Sequence, residues 1–271
     1  MSGARERLSR AAHGVAAVAA VGALSIALAG MLAPPAAHAA GPEAAAGPAA
    51  SASESDAITP AEKLVFTDDH LHGVSPQTEL DYSVVNSGED KRQPDTVRVL
   101  VLSPGNQKSD AQVSDHSGAV KLPGDGLPCN PVVIYFLERD IADMEQLTGG
   151  RRQYFQKRVR LALASGPRIT KTTAEIGGKR LAARQIVVQP YLNDPNAERF
   201  PRYTGKRYTF VFADDLPGRV ALIKTEVPGA NGDFAHPVQT ETLTFQGAMR
   251  KLPAKPGTPG AKPLDGPSAS R

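Results

Sequence analysis

Two histidines, His70 and His72, carry the clearest metal-binding pattern in the chain. They alternate within Asp68-Asp69-His70-Leu71-His72, so in an extended segment both imidazoles would share one face at a separation that can chelate a metal ion. A metal site needs a third ligand, and neither His116 nor His236 lies at a sequence spacing that indicates one. A polar turn explains the same residues. The expectation is no metal site, with His70 and His72 as weak candidates.

The single cysteine, Cys129, precedes a predicted helix start, where the helix dipole could lower the pKa of its thiol. A nucleophilic cysteine needs a base beside it, and the sequence shows no cysteine–histidine arrangement. It also lacks a serine-hydrolase elbow, a phosphate-binding glycine loop and a zinc-protease motif, and nothing singles out a pair of carboxylates. We therefore expect no catalytic residue and no cofactor, and a buried, unreactive cysteine. An enzyme is less expected than a binding protein.

Tyr208, Phe210 and Phe212 line one side of a predicted strand and are the candidate ligand-binding residues. In water, other parts of the protein must cover this apolar face. Either helices cover it, or part of it stays open as an apolar groove for an acyl chain or a peptide.

Two charges fall inside the apolar arcs of predicted helices. Asp140 lies nine residues before Gly149 and Arg158 nine residues after it. Because a lone buried charge is costly, each should have a partner, and an antiparallel pair of helices would bring them together. The sequence thus predicts a structural Asp140–Arg158 ion pair that fixes helix register. The competing interpretation leaves both charges in solvent.

The second helix is rich in cations. It carries Arg151, Arg152, Lys157, Arg158 and Arg160 and no acidic residue. A solvated helix face explains this composition. The alternative is a surface for anionic lipid headgroups or for an acidic partner.

The elements that would position these residues follow from periodicity and turn signals. Asn130-Pro131 starts a helix that Thr148-Gly149-Gly150 ends, and a second helix follows from Arg151 to about Ala164. Gly177-Gly178 predicts a hairpin. Predicted strands are 64–66, 78–85, 96–102, 119–122, 169–176, 179–189, 206–213, 219–227 and 239–246. The fold class is α+β: an antiparallel, meander-like sheet, or half-barrel, with a central helical hairpin packed on one face.

Both ends of the chain read differently from the middle. Residues 1–39 resemble a signal peptide, with three arginines, an apolar run and Ala37-His38-Ala39 as the cleavage motif, so we expect cleavage near Ala39 and a periplasmic protein. Residues 40–60 read as a disordered linker, 61–250 as a single α+β domain and 251–271 as a disordered Pro/Gly/Lys tail. Without residues 1–39 the chain keeps 28 basic and 27 acidic residues, which argues against nucleic-acid binding. No second apolar run could span a membrane after processing.

The predicted sheet with helices against it resembles the half-barrel of Lol-type periplasmic lipoprotein carriers, over roughly Leu64 to Gln246. In that family a helix leads the sheet, whereas here the helices lie mid-domain. The stretch from Asn130 to Gly150 with Tyr154-Phe155 is also similar to exported proteobacterial proteins of unknown activity. We expect a non-enzymatic binding or envelope-maintenance protein. The second hypothesis, which the resemblance implies, is a carrier for lipid or lipoprotein, and the third is a periplasmic hydrolase. Candidate partners are lipid, lipoprotein or an envelope protein.

Overall fold

The computed structural model describes residues 57–89, 92–102, 111–123 and 128–251. The predicted signal peptide, most of the linker and nearly all of the tail lie outside the described residues. Among the described residues, no helix is both long enough and apolar enough to cross a membrane.

A nine-stranded, fully antiparallel sheet forms the frame, in the order β4-β3-β2-β1-β9-β8-β7-β6-β5. The chain builds it as two meanders, since β1 to β4 run outward in one direction and β5 to β9 return from the other edge. The last strand then pairs with the first over eleven residues of β1. The strands are β1 Thr78–Gly88, β2 Asp95–Val101, β3 Ala111–Asp115, β4 Gly118–Val120, β5 Ile169–Ile176, β6 Lys179–Val188, β7 Arg207–Phe212, β8 Val220–Val227 and β9 Gln239–Arg250.

Two consecutive helices, α2 Pro131–Thr148 and α3 Arg152–Ala164, connect the meanders and contact each other. Asn130 caps α2, because its side-chain oxygen accepts a bond from Val132 N at 3.1 Å. Gly149 ends the helix in the left-handed conformation at φ 68°. Helix α2 packs against β2, β3 and β8. The α+β class with helices against one face of an antiparallel sheet is therefore confirmed.

Alternating residues of the central strands form one buried face. Register places Phe210 of β7 between Ile186 of β6 and Ile223 of β8, and Ile223 lies opposite Leu243 of β9. All four are fully buried. Residues directly opposite each other on adjacent antiparallel strands point to the same face of the sheet. These four side chains therefore form the sheet side of the hydrophobic core.

One local prediction was wrong, and one strand was missed. Leu64 to Phe66 is not a strand but part of a π-helical turn, Lys63–Thr67, that continues a three-residue helix α1, Pro60–Glu62. Thr59 and Glu62 form a reciprocal capping box that starts this turn, and helical spacing buries the adjacent Leu64 and Val65 together. The strand β3 went unpredicted because Val113 is its only buried residue, which leaves no alternation to detect.

Candidate functional site

The predicted binding stripe belongs to the core. Tyr208, Phe210 and Phe212 are at most 1% exposed, because the helices and the segment before β1 cover their face. A ligand does not reach them in this conformation. Ligand binding at the stripe stays a prediction, and it requires the covering layer to move.

The stripe continues into a cluster of aromatic rings outside the sheet. The Tyr208 and Tyr191 hydroxyls lie 3.0 Å apart, and their ring centroids are 6.2 Å apart. Tyr191 in turn packs edge-on against Phe155 of α3 at 5.7 Å and Phe200 at 5.9 Å. These edge-to-face contacts are the favourable geometry for aromatic pairs. An unbroken aromatic path therefore runs from β7 to the start of α3.

The path ends at a cavity of about 360 Å³ between the α2–α3 connection and the loop after β6. Phe155 and Phe200 form its apolar wall, while Arg151 and Arg199 are exposed on its lining. The remaining lining residues are Thr148, Gly149, Gly150, Tyr154 and Asn196. A mainly apolar cavity with a few polar groups is typical of small-molecule sites, and this volume lies near the lower end of their range.

The charge at this cavity is positive. Arg151 is the N-cap residue of α3, whose first turn holds no acidic side chain, and no side chain caps it. The helix dipole therefore adds to the charges of Arg151 and Arg199. The cavity suits a ligand with an anionic end and an apolar body.

A second, larger cavity of about 580 Å³ lies on another part of the surface. Its lining includes Glu89 and Arg202, which pair with each other, and the exposed Leu192. Most of the remaining lining is glycine, proline and small side chains, so the cavity offers little specific chemistry.

Asp140 and Arg158 are both paired, but not with each other. Asp140 pairs with Lys206, and its second oxygen accepts a bond from the Tyr208 hydroxyl at 2.6 Å. Arg158 Nε lies 2.8 Å from Asp194 Oδ2. The predicted Asp140–Arg158 pair is therefore wrong. Asp140 faces the sheet, whereas Arg158 faces the loop after β6, and counting residues about Gly149 does not reveal these directions.

The loop after β6 is fastened to α3 by polar contacts. The buried Asp194 carboxylate accepts bonds from the Tyr154 hydroxyl and from Asn196 N, the latter at 2.8 Å. The Asn196 amide also donates to the Tyr154 hydroxyl at 2.9 Å. Two of the residues that make these contacts, Tyr154 and Asn196, line the 360 Å³ cavity. Sequence reasoning missed Asn196, Arg199 and Phe200 because they lie in an irregular segment where no periodicity marks a binding residue.

The two histidine candidates do not share a face. His70 is buried, with Nε2 2.8 Å from the Leu64 carbonyl oxygen and Nδ1 accepting a bond from Asn130 N at 3.2 Å. Burial lowers the pKa of His70, which keeps the ring neutral. His72 is exposed in the same turn. Both His70 ring nitrogens thus have hydrogen-bond partners. His70 therefore supports the start of α2 and has no nitrogen free to bind a metal ion.

A different group of possible ligand atoms, on Asp95, Asp115 and His116, lies within 4.8 Å. Each of these side chains already has a hydrogen-bond partner. His116 Nδ1 lies 2.6 Å from Asp95 Oδ2, and Ser117 donates its N–H and hydroxyl to Asp115. Arg139 lies 3.8 Å from Asp95 and opposes a cation there. The arrangement is that of a hydrogen-bonded turn between β3 and β4.

Cys129 is buried, and burial raises the pKa of its thiol to about 12. The structure therefore agrees with the predicted buried cysteine, and desolvation of the thiolate outweighs any lowering of its pKa by the helix dipole. The thiol is protonated at neutral pH and unreactive.

Comparisons with known proteins give remote likenesses only. No protein-family model and no curated protein sequence matches the chain. One similar solved structure is the lipoprotein LppX of Mycobacterium tuberculosis, with 10% identity, 65% of this chain and 89% of LppX covered, and a TM-score of 0.28. Another is a LolA-superfamily protein of Nitrosomonas europaea, with 14% identity, 68% and 91% coverage, and a TM-score of 0.23. At these TM-scores and identities the two likenesses carry no argument about this chain.

Proposed function

We propose that this chain is an exported, non-enzymatic binding protein for an amphiphilic ligand with an anionic end. The observation that carries the proposal is the 360 Å³ cavity, whose lining combines Phe155 and Phe200 with Arg151 and Arg199. The arginines would hold a carboxylate or phosphate, and the aromatic wall would hold the apolar body. The buried, protonated Cys129 and the engaged His70 are poorly placed for catalysis.

The direct test is titration with a dansyl-labelled fatty acid and, separately, with its uncharged methyl ester. Arg199→Glu and Arg151→Glu should each weaken binding of the acid by about tenfold, because a charge-assisted contact is lost and a repulsion gained. Binding of the ester should change little. Arg180→Glu, at an exposed position near the start of β6, is the matched control and should bind the acid like wild type.

Two outcomes would overturn the proposal. One is the absence of saturable binding of the fatty acid. The other is an equal loss of acid and ester binding in the arginine variants, since the arginines would then act through the fold. Far-UV circular dichroism of each variant separates misfolding from lost affinity.

A carrier for lipid or lipoprotein is the second candidate function. The aromatic path from Phe200 through Tyr191 to Tyr208 favours it, because a long chain could follow that path once the helices move away from the sheet. The chain contains no tryptophan, so one introduced tryptophan is a unique reporter. If the ligand enters the core, a brominated fatty acid, which quenches tryptophan only at near contact, should quench both Phe200→Trp and Phe210→Trp. Quenching of Phe200→Trp alone would restrict the ligand to the cavity.

A further inference from the structure

The exposed side of α3 carries a large apolar side chain together with unpaired cations, and a second exposed apolar side chain precedes α1. Leu161 is 48% exposed, and Ile58 is 62% exposed. The Thr59 hydroxyl donates to the Leu163 carbonyl oxygen at 3.0 Å, which fastens the residue after Ile58 to the last turn of α3. Ile58 is thus next to a residue that contacts the C-terminal turn of the helix that carries Leu161. Neither lines the 360 Å³ or the 580 Å³ cavity.

Three cations lie on α3 or shortly after it. Lys157 and Arg160 are exposed, and neither forms an ion pair with any residue that the structure describes. Lys157 is four residues before Leu161, about 40° away around a helix of 3.6 residues per turn. Arg168, also exposed, follows shortly after the helix.

The other cations of α3 form ion pairs with acidic residues. Arg152 pairs with Glu138 of α2 at 2.7 Å, and Arg158 pairs with Asp194. The nearest acidic residue on the α1 side, Glu62, accepts bonds from the backbone and hydroxyl of Thr59. The helix thus divides its charges, with one set paired inward and Lys157 and Arg160 facing water beside Leu161.

We infer that Ile58, Leu161, Lys157 and Arg160, joined by Arg168, form a docking surface for an anionic lipid bilayer. Exposed aliphatic side chains can enter the headgroup region while adjacent lysine and arginine side chains contact lipid phosphates. The processed chain is expected to carry almost no net charge, so general electrostatic attraction would contribute little and the local cluster must supply it. The inference does not depend on the cavity that carries the proposed function.

Vesicle flotation tests the inference, with vesicles of phosphatidylglycerol and phosphatidylcholine in equal parts compared with phosphatidylcholine alone. Wild type should float with the anionic vesicles only. Each cation near the surface contributes about five-fold to binding, so Lys157→Glu with Arg160→Glu should weaken it by more than about tenfold. Ile58→Ser and Leu161→Gln should each weaken it several-fold, because each removes an aliphatic side chain that would enter the headgroup region.

Matched controls lie elsewhere on the molecule. Lys179→Glu with Arg180→Glu reverses two exposed cations at the start of β6, and Leu192→Gln removes an apolar side chain that is 54% exposed. Both should float like wild type. The inference is overturned if wild type does not float, or if the control charge reversals weaken flotation equally. It is also overturned if Ile58→Ser and Leu161→Gln have no effect, since an acidic protein partner would then fit the cations better. Unchanged melting temperatures show that each variant is folded.

Discussion

Lys206 and Asp140 form an ion pair that water barely reaches, with side chains 5% and 2% exposed. Lys206 lies immediately before β7, and Asp140 lies in the middle of α2. The Tyr208 hydroxyl completes the site by donating to the same carboxylate. The pair therefore joins the helix to the sheet beside the aromatic stripe. Burying two charges costs about as much as their attraction returns, whereas one charge left alone is strongly destabilising.

Removing one partner of the Lys206–Asp140 pair should therefore destabilise the fold more than removing both. Lys206→Met should lower the free energy of unfolding by about 3–5 kcal/mol, because the Asp140 carboxylate would stay buried without its cation. Adding Asp140→Leu should restore much of the loss. Urea unfolding measures both effects. A double variant as unstable as Lys206→Met would mean that the pair does not account for the loss.

A graded pair of arginine variants tests whether burial sets the strength of an ion pair. Arg158→Met should cost about 2 kcal/mol, since its partner Asp194 is buried but keeps other hydrogen bonds. Arg184→Met breaks the exposed pair with Asp214 and should cost less than about 1 kcal/mol. Urea unfolding of both variants gives the order, and equal costs would contradict it.

The Asp140 result shows where sequence reasoning stops. The sequence identified two charges in apolar arcs and the need for partners, and both partners exist. It did not identify Lys206 or Asp194, because they lie outside the helices and reach Asp140 and Arg158 only through the folded sheet and loop. Periodicity reports which face of a helix is buried, but not which neighbour lies opposite.

Elements with strong local signals were predicted well for the same reason. Asn130 and Gly149 bound α2 through contacts within a few residues, and Gly177-Gly178 forms its turn locally. The 360 Å³ cavity has no such signal, because Arg151 and Arg199 come from segments that only the tertiary fold brings together. The strength of a local signal therefore decided what could be predicted.

Gly218 provides a test of close packing at the start of α2. Its φ is +76°, and a Cβ there would lie 2.5 Å from Leu80 Cδ1 and 2.7 Å from Asn130 Nδ2. Gly73 has φ +79° and nothing within 4 Å, so it isolates the backbone strain. Gly73→Ala should cost about 1–2 kcal/mol, and Gly218→Ala about 1–3 kcal/mol more because of the clash. Thermal unfolding of both variants measures the difference, and equal destabilisation would contradict the clash.

Phe210 should behave as a core residue in the free protein. Phe210→Ala should lower the free energy of unfolding by about 3–5 kcal/mol, since the ring is fully buried between two strands. Val187→Ala, at a site 39% exposed on β6, should change it by less than about 1 kcal/mol. A small effect at Phe210 would mean that the stripe is already accessible.

His70 should make the fold sensitive to mild acid. Desolvation lowers the pKa of the folded His70, and Arg219 lowers it further, against opposite contributions from the Leu64 carbonyl, Asp68 and Asp69. The unfolded chain therefore binds the proton more readily than the folded one. The His70 contribution is fully present above the unfolded pKa of about 6.5 and is lost as the pH falls toward the lower folded value.

Protonation would also remove the acceptor at Nδ1 that holds Asn130 N, the amide of the residue that caps α2. We expect the urea midpoint of wild type to fall as the pH is lowered from about 7.5 through about 6.5. His70→Gln should unfold more easily at neutral pH but lose much of this dependence, because the titrating ring is gone. His72→Gln removes an exposed ring with a side chain 77% accessible and should keep the wild-type slope. Equal slopes for wild type and His70→Gln would show that His70 does not control acid stability, and a flattened slope in His72→Gln would assign the effect to the exposed ring.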